Sequence, residues 1–370
     1  MMTMEEKVTN EVSSTEQSVF SALTEMGHEQ VVYCHDEHTG LKAIVGIHNT
    51  VLGPAIGGTR LWAYQSEQEA LRDVLRLSRG MTFKNAIAGL NAGGGKAVII
   101  GDPRKTKTEP LLRAFGKFLN NLNGKYITAE DVGMNAQDME YIGMQTEHVS
   151  GMPEYLGGMG DPSPHTAYGV YMGMKAAAKV AYGSDSLEGK KVSVQGVGSV
   201  GEIIIDYLQK EGCKIYVSEF YEDKLKEITS KYKVEAVGMD EIYDLDVDIY
   251  SPCALGATVN HQTLDRLKCD IIAGCANNQL EDEAIHGDLC VKKGIIYGPD
   301  FLINSGGVIN VYAEVIKASH DWTKAHVEKI YGKSLEVISQ SVSEKKNAQT
   351  VAIDMAMKRI NDIAKVKAPY

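Results

Sequence analysis

Apolar and polar positions follow two different patterns through residues 17–150. The predicted strands are 30–36, 41–49, 96–101 and 126–128, and the predicted helices are 66–81 and 109–122. A His-Thr-Gly turn joins the first two strands into a hairpin. Ser66 and Glu69 have the spacing of a capping box, which marks the start of the first helix. The pattern indicates a mixed α/β unit.

Beyond residue 165 the pattern becomes a regular alternation of strands and helices. The predicted strands are 191–195, 214–218, 247–250, 271–273 and 294–297, and the predicted helices include 166–182, 199–211 and 222–232. Such alternation is typical of a parallel, doubly wound sheet. The chain is mostly helical after residue 303, and we expect its last helix, 348–366, to fold back on the first unit.

A stretch rich in glycine and proline separates the two patterns. Residues 151–164 contain four glycines and three prolines, which is typical of a domain boundary or hinge. We therefore expect an α/β fold of two domains with a cleft between them. The expected divisions are a flexible N-terminal extension (1–16), a first α/β domain (17–150), a Rossmann-type domain (151–345) and a C-terminal helix that returns to the first domain (346–370).

Composition and charge narrow the class of protein. The chain has 370 residues, 44% of them hydrophobic and 24% charged, and a formal net charge of −11. An acidic chain is not expected to bind nucleic acid, and it must capture an anionic substrate with local cations. Six scattered cysteines without a Cys-x-x-Cys pair indicate reduced thiols and a cytoplasmic location. No apolar run of about 18 residues occurs, so no membrane span is expected.

A complete Gly-x-Gly-x-x-Gly motif lies between a predicted strand and a predicted helix. Its residues are Gly196, Val197, Gly198, Ser199, Val200 and Gly201. A turn of this kind binds the pyrophosphate of a dinucleotide at the start of the helix. Glu219 ends the next predicted strand, where a carboxylate bonds the ribose and repels a 2′-phosphate, so NAD is preferred over NADP. A glycine turn of another α/β protein, such as a methyltransferase, is the plainer alternative.

Two lysines and one aspartate of the first domain are the candidates for chemistry. Lys84 lies near the end of a predicted helix, and Lys96 begins a strand after a turn of three glycines, Gly93–Gly95. A lysine near a second cation in a desolvated cleft can act as a base, since its pKa is lowered. Asp131 follows a predicted strand, where sites of α/β proteins are usually built. The plainer alternatives are surface lysines and a turn or capping aspartate. No metal site is expected, because no zinc-type spacing occurs.

Several longer motifs resemble the Glu/Leu/Phe/Val amino-acid dehydrogenase family, and most closely its leucine branch. These motifs are 53–58 (GPAIGG), 81–85 (MTFKN), 93–103 (GGGKAVIIGDP), 126–133 (YITAEDVG) and 162–169 (PSPHTAYG). The resemblance extends from about residue 29 to residue 363. It implies reversible NAD-dependent oxidative deamination of leucine and other branched-chain L-amino acids to 2-oxo acids and ammonium. It also implies a homo-oligomer, often an octamer, built through the first domain.

The resemblance also implies roles for individual residues. Lys84 would bind the substrate carboxylate, Lys96 would be the general base that activates water, and Asp131 would exchange a proton with the amino group. The implied substrate contacts are Gly57, Gly58, Ile56, Ala129, Val308 and Val311. The implied contacts near the nicotinamide are Thr166, Asn278 and Asn304. The chain departs from the usual family residues at His165, Asn277, Glu219 and Met134.

Two other functions stay open from the residues alone. Small and branched pocket residues favour leucine, valine and isoleucine as substrates. However, one methylene group more or less on a substrate changes its binding free energy in an apolar pocket by only about 1–3 kcal/mol. A phenylalanine or broad-range dehydrogenase is therefore the first alternative. An NAD-binding protein without activity is the second, and the intact Lys84, Lys96 and Asp131 argue against it.

Overall fold

The structure, a computed structural model, describes residues 18–367 and contains two six-stranded sheets. The first sheet consists of β1 (Gln30–Asp36), β2 (Leu41–Asn49), β3 (Ala55–Ile56), β4 (Thr59–Trp62), β5 (Gly93–Ile100) and β6 (Tyr126–Ile127). Its helices are α1 (Val19–Met26), α2 (Glu67–Ile87), α3 (Glu109–Asn120) and α4 (Ala136–Gly143). The expected flexible extension, 1–16, lies outside the described residues.

The second sheet consists of β7 (Lys191–Gln195), β8 (Lys214–Ser218), β9 (Val234–Ala236), β10 (Ile249–Pro252), β11 (Ile271–Ile272) and β12 (Ile296–Tyr297). The helices around it are α5 (Ser163–Tyr182), α6 (Ser199–Lys210), α7 (Glu222–Lys231), α8 (His261–Arg266), α9 (Glu283–Lys293) and α10 (Asp300–Ile303). The chain ends in α11 (Gly306–Val315), α12 (His320–Glu344) and α13 (Ala348–Lys367). The expected two-domain α/β fold is confirmed.

The first sheet is mixed, and β5 lies near its centre. The strand order is β1-β2-β5-β3-β6, with β4 also paired to β5. β1 and β2 form the predicted antiparallel hairpin, whereas β3 and β4 run parallel to β5. The predicted glycine turn before Lys96 was wrong, because Gly93–Gly95 are paired residues of β5 itself. Lys96 therefore lies inside a central strand and is 7% exposed.

Helix α2 packs across the first sheet and is longer than the pattern predicted. Ser66 caps it by accepting a hydrogen bond from the backbone N–H of Glu69. The helix continues to Ile87 instead of ending at residue 81, because buried residues continue through its last turns. Lys84 thus lies in the final turn of α2 and not beyond it.

The second sheet is parallel throughout, in the order β9-β8-β7-β10-β11-β12. This is the order 3-2-1-4-5-6 of the Rossmann fold, in which the direction of winding reverses between β7 and β10. Ligands of such sheets bind in the crevice at the carboxyl ends of the strands at that point. The glycine motif follows β7 directly, and β10 ends opposite it.

Helices and one loop connect the domains. The segment after residue 150 is attached to α11, because the Glu314 carboxylate accepts backbone N–H groups of Gly151, Met152 and Met159 at 3.1–3.2 Å. At the other end of the molecule, α13 packs against both α2 and α9. The second connection places α13 against α2, the helix that carries Lys84.

Candidate active site

A cleft of about 670 Å³ opens between the two sheets. The first domain contributes residues of β3, β4, β5 and α2 and the segment after β6. The second domain contributes residues that follow β11 and β12, together with α11. The predicted site residues that line it are Lys84, Lys96, Asp131, Ile56, Gly57, Gly58, Ala129, Val308, Val311, Thr166, Val200, Asn278 and Asn304. The structure thus brings the three candidates for chemistry together with the candidate substrate contacts.

Lys96 and Asp131 form an ion pair on the wall of the first domain. One oxygen of Asp131, Oδ2, faces the ammonium of Lys96, and Oδ1 accepts the backbone N–H of Val132 at 2.7 Å. Burial alone would raise the pKa of Asp131, but the positive charges of Lys96 and Arg60 outweigh it and lower that pKa. Asp131 is therefore an ionised carboxylate at neutral pH, in contact with a nearly buried ammonium group.

Lys84 enters the cleft from the end of α2. Burial lowers the pKa of its ammonium group from 10.5 to about 8, and repulsion by Lys96 acts in the same direction. Attraction by Asp300 and Asp131 opposes this change without reversing it. Nζ of Lys84 also approaches Oδ1 of Asn277 on the other domain at 3.5 Å. Lys84 is a cation that loses its charge readily unless an anion joins it.

Apolar side chains from both domains form a second part of the cleft. Ile56 and Ala129 come from the first domain, and Val308 and Val311 come from α11. Ile56, Val308 and Val311 belong to one apolar cluster with Met81. The polar backbone of Gly57 and Gly58 lies beside this pocket, and the carbonyl of Gly57 accepts the hydroxyl of Tyr126 at 2.6 Å. The cleft thus offers both cations and branched aliphatic groups.

The glycine motif has the conformation that a dinucleotide requires. Gly196 has φ of 95°, and a Cβ at Gly201 would lie 2.3 Å from the carbonyl oxygen of Gly196. No atom lies within 4 Å of the position of a Cβ at Gly198, which leaves its backbone open to a ligand. α6 begins at Ser199 without a capping side chain, so its first N–H groups point to this open space. These residues fit a bound pyrophosphate.

The remaining cofactor candidates lie around the same crevice. The carboxylate of Glu219 accepts the backbone N–H groups of Val197 at 2.9 Å and of Tyr221 at 3.1 Å, which holds it at the entrance of the glycine turn. Asn304 donates its amide to the carbonyl of Cys275 and to Asn277, and its buried Oδ1 has no hydrogen-bond partner. A buried, unpaired amide oxygen beside the cleft fits a ligand that donates a hydrogen bond there, as the carboxamide of a nicotinamide does.

Comparison with known families agrees with this site. The model described as "Glu/Leu/Phe/Val dehydrogenase, dimerisation domain" matches residues 28–148. The model "Glutamate/Leucine/Phenylalanine/Valine dehydrogenase" matches residues 157–221 and 216–368. The chain belongs to this family. It is an NAD(P)-dependent amino-acid dehydrogenase, since that activity is general to the family.

Individual members of the Glu/Leu/Phe/Val dehydrogenase family act on different amino acids. Leucine dehydrogenase of Thermoactinomyces intermedius is 49% identical over 95% of this chain and 96% of its own length. Phenylalanine dehydrogenase of Caldalkalibacillus thermarum is 44% identical over 88% of each chain. The crystal structure of L-tryptophan dehydrogenase from Nostoc punctiforme superposes with a TM-score of 0.83 at 42% identity and covers 94% of this chain and 100% of its own. The names of these three relatives give leucine, phenylalanine and tryptophan as their substrates.

Two residues of this dehydrogenase site were not predicted from the sequence. Arg60 lies 3.8 Å from Asp131, and its motif neighbours Gly57 and Gly58 were the only signal that it was near the site. Asn277 was noted only as a departure from the family, yet it contacts Lys84 across the cleft.

Within residues 18–367 no helix is long and apolar enough to cross a membrane.

Proposed function

We propose that this protein catalyses reversible NAD-dependent oxidative deamination of L-leucine and related branched-chain L-amino acids. The observation that carries the proposal is the single cleft that holds Lys84, Lys96 and Asp131 beside a branched aliphatic pocket. The cations of this cleft suit the carboxylate of an amino acid, and the aliphatic groups suit its side chain. The 49% identity to leucine dehydrogenase supports the same substrate class.

The proposed roles follow from the geometry. Lys84 binds the substrate carboxylate, because it is a cation in the cleft whose charge an added anion stabilises. Asp131 accepts a proton from the substrate amino group, since it is held ionised. Lys96 contacts Asp131 and, in its neutral form, serves as the general base that takes up the proton lost by the water that attacks the imine carbon. The backbone of Gly57 and Gly58 completes the carboxylate pocket.

The cofactor would lie along Gly196, Val197, Gly198, Ser199, Val200 and Gly201, with its nicotinamide near Thr166, Asn278 and Asn304. When bound, it would accept a hydride from the Cα of the amino acid. We propose NAD over NADP, because the Glu219 carboxylate is fixed where the ribose hydroxyls would lie and a 2′-phosphate would be repelled. Exchange of Glu219 for serine should raise the affinity for NADPH relative to NADH, as measured by cofactor fluorescence.

The side-chain pocket favours branched aliphatic substrates. Ala129 and the branched side chains of Val308 and Val311 line this pocket. A phenyl or indole ring needs more room than an isobutyl group. Phenylalanine or broad-range activity therefore remains the second candidate function, supported by the 44% identity to phenylalanine dehydrogenase. Exchange of Ala129 for glycine should move the preference towards phenylalanine.

Formation of NADH with L-leucine, L-valine, L-phenylalanine, L-tryptophan and L-glutamate tests the function directly. We expect the highest kcat/KM with a branched-chain substrate. Lys96→Ala should lower kcat by about 10²–10⁴-fold, the usual contribution of a general base, with unchanged NADH affinity. The control is Lys105→Ala, whose side chain is 83% exposed and should keep full activity. Turnover of none of these amino acids by the unaltered protein would refute the proposed function.

Other properties belong to the same proposal. We keep the domain divisions at 17–150, 151–345 and 346–370, with substrate binding and oligomerisation assigned to the first domain. We also propose a homo-oligomer, an octamer by family resemblance, and a cytoplasmic location. The free cysteines among the described residues are consistent with a reducing compartment. Light scattering and fractionation would test the assembly and the location.

A further inference from the structure

Two cations lie beside the Asp131 carboxylate, and the proposed reaction uses only the first of them. The first is Lys96, its ion-pair partner. The second is Arg60 on β4, whose Nε lies 3.8 Å from Oδ2 of Asp131. The Nε atom of Arg60 is buried and has no hydrogen-bond partner. A buried N–H donor without a partner is costly, so its position beside a carboxylate needs an explanation.

The position of Arg60 is fixed from outside the cleft. Its Nη1 donates to Oδ2 of Asp73 on α2 at 3.0 Å. The hydroxyl of Tyr64 donates to the same oxygen at 2.7 Å, and Arg76 donates to the other oxygen at 3.1 Å. The Asp73 side chain is 14% exposed. Tyr64 and Arg76 therefore hold Asp73, and Asp73 in turn holds the guanidinium of Arg60.

We propose that Arg60 is a positioning residue that keeps the Asp131 carboxylate ionised and oriented for proton exchange with the substrate amino group. This inference rests on the proposed function. Lys96 cannot fill this role alone when it acts as a base, because its own charge then changes during the reaction. Arginine keeps its charge throughout. Arg60 thus supplies a constant positive charge beside a carboxylate that must release and accept a proton.

Other charged or titratable groups also act on Asp131. They are Lys96 on β5, Lys84 on α2, Tyr126 on β6 and Tyr64 after β4. The charges that lower the pKa of Asp131 most are those of Lys96 and then Arg60. Removal of Arg60 should therefore leave Asp131 with one close cation, Lys96. The charge of Lys96 is the one that changes during the proposed reaction.

Chemical rescue of Arg60→Ala tests the proposal. We expect kcat to fall about 10²-fold, as for other losses of alignment at a reacting group. Millimolar guanidinium, far below the molar concentrations that unfold proteins, should restore at least a tenth of the activity. Urea, a neutral molecule of the same shape, should not. Equal effects of guanidinium and urea, or full activity of the unrescued variant, would overturn the proposal.

A second measurement does not depend on turnover. The ¹³C carboxyl signal of Asp131, assigned by its loss in Asp131→Asn, should titrate at higher pH in Arg60→Ala than in the unaltered protein. Arg60→Lys should restore most of the original titration, because it keeps a cation there. An unchanged titration in Arg60→Ala refutes the role of Arg60 even if the protein turns over no amino acid. Inactivity of the unaltered protein with a shifted titration would instead refute only the proposed reaction.

Discussion

At Asn277 a neutral amide faces the ammonium group of Lys84 across the cleft. The approach of Lys84 Nζ to Oδ1 of Asn277, at 3.5 Å, crosses from one domain to the other. Asn304 orients the same oxygen by donating to it at 2.9 Å. Because the amide of Asn277 carries no charge, it does not oppose the effect of burial, which lowers the pKa of Lys84 to about 8. The residue thus helps to set the pH range over which the site attracts a carboxylate.

Asn277→Asp should move the pH range over which the site attracts a carboxylate to higher pH. An added carboxylate favours the charged form of Lys84 and raises its pKa. In the unaltered protein, binding of 4-methylpentanoate, an amino acid analogue without an amino group, should weaken as pH rises through about 8, where Lys84 loses its charge. In the variant this weakening should occur at higher pH, and the affinity below pH 8 should fall a few-fold because the two carboxylates compete. Titration calorimetry at several pH values measures both.

Asn277→Ala is the matched control, since it removes the amide without adding charge. It should change the affinity but leave the pH midpoint near that of the unaltered protein. If Asn277→Asp and Asn277→Ala shift the midpoint equally, charge at this position does not control Lys84.

Site residues in recognisable motifs could be predicted from the sequence, whereas their partners could not. Lys84, Lys96 and Asp131 stand in motifs of the family, and the structure brings them to one cleft. Arg60 and Asn277 belong to elements distant in sequence from the groups they contact. Such pairs depend on strand order and on the closeness of the two domains, and neither is encoded in local spacing.

At the scale of elements, the contact between β5 and α2 sets the position of Lys84. A Cβ at Gly94 would lie 2.1 Å from both the backbone nitrogen and the hydroxyl of Thr82 on α2. Gly94 therefore serves the close packing of α2 on β5, whereas a Cβ at Gly93 would meet Asn49 and one at Gly95 would meet Tyr126. The last turn of α2, which carries Lys84, begins two residues after this contact.

Gly94→Ala should displace α2 from β5. We expect a loss of about 1–3 kcal/mol or more in the free energy of unfolding, because a strand and a helix backbone cannot easily move apart. The KM for the amino acid should rise as well, since Lys84 moves with its helix. Gly332→Ala in α12 is the control, as no atom lies within 4 Å of the added group and stability should rise by about 0.5–1 kcal/mol. Thermal unfolding and KM should separate the two variants, and equal behaviour would contradict the packing argument.

Long elements were predictable because their periodicity is strong, whereas the short strands β3 and β4 were not. The predicted strands at Gln30–Asp36, Leu41–Asn49, Lys191–Gln195 and Lys214–Ser218 are confirmed to the residue. β3 has two residues and β4 has four, too few for a pattern to show. Their pairing with neighbouring strands, and not their own residues, makes them strands.

At the scale of the molecule, α13 links the two domains on the side of the cleft. Near its start, Gln349 donates to Glu283 of α9 at 3.1 Å. About three turns later Arg359 donates to the carbonyls of Ala86 at 3.1 Å, Gly89 at 3.2 Å and Leu90 at 2.6 Å. A cation at the end of α2 also stabilises the helix dipole. The C-terminal helix thus holds the end of the helix that carries Lys84.

Arg359→Gln should weaken this link. Loss of charge-assisted hydrogen bonds to three carbonyls should lower the free energy of unfolding by about 1–2 kcal/mol, the lower part of the range for charged donors because the side chain is half-buried. KM for the amino acid should rise more than kcat falls, since the variant alters the position of Lys84 and not the reacting groups. Lys358→Gln removes the same charge from the adjacent, 79% exposed position and should change stability by no more than about 0.5 kcal/mol. Denaturant unfolding and steady-state kinetics of both variants test this link. If α13 acted only through its charge, Arg359→Gln and Lys358→Gln would have similar effects. If Arg359 holds the end of α2 by hydrogen bonds, only Arg359→Gln lowers stability and raises KM.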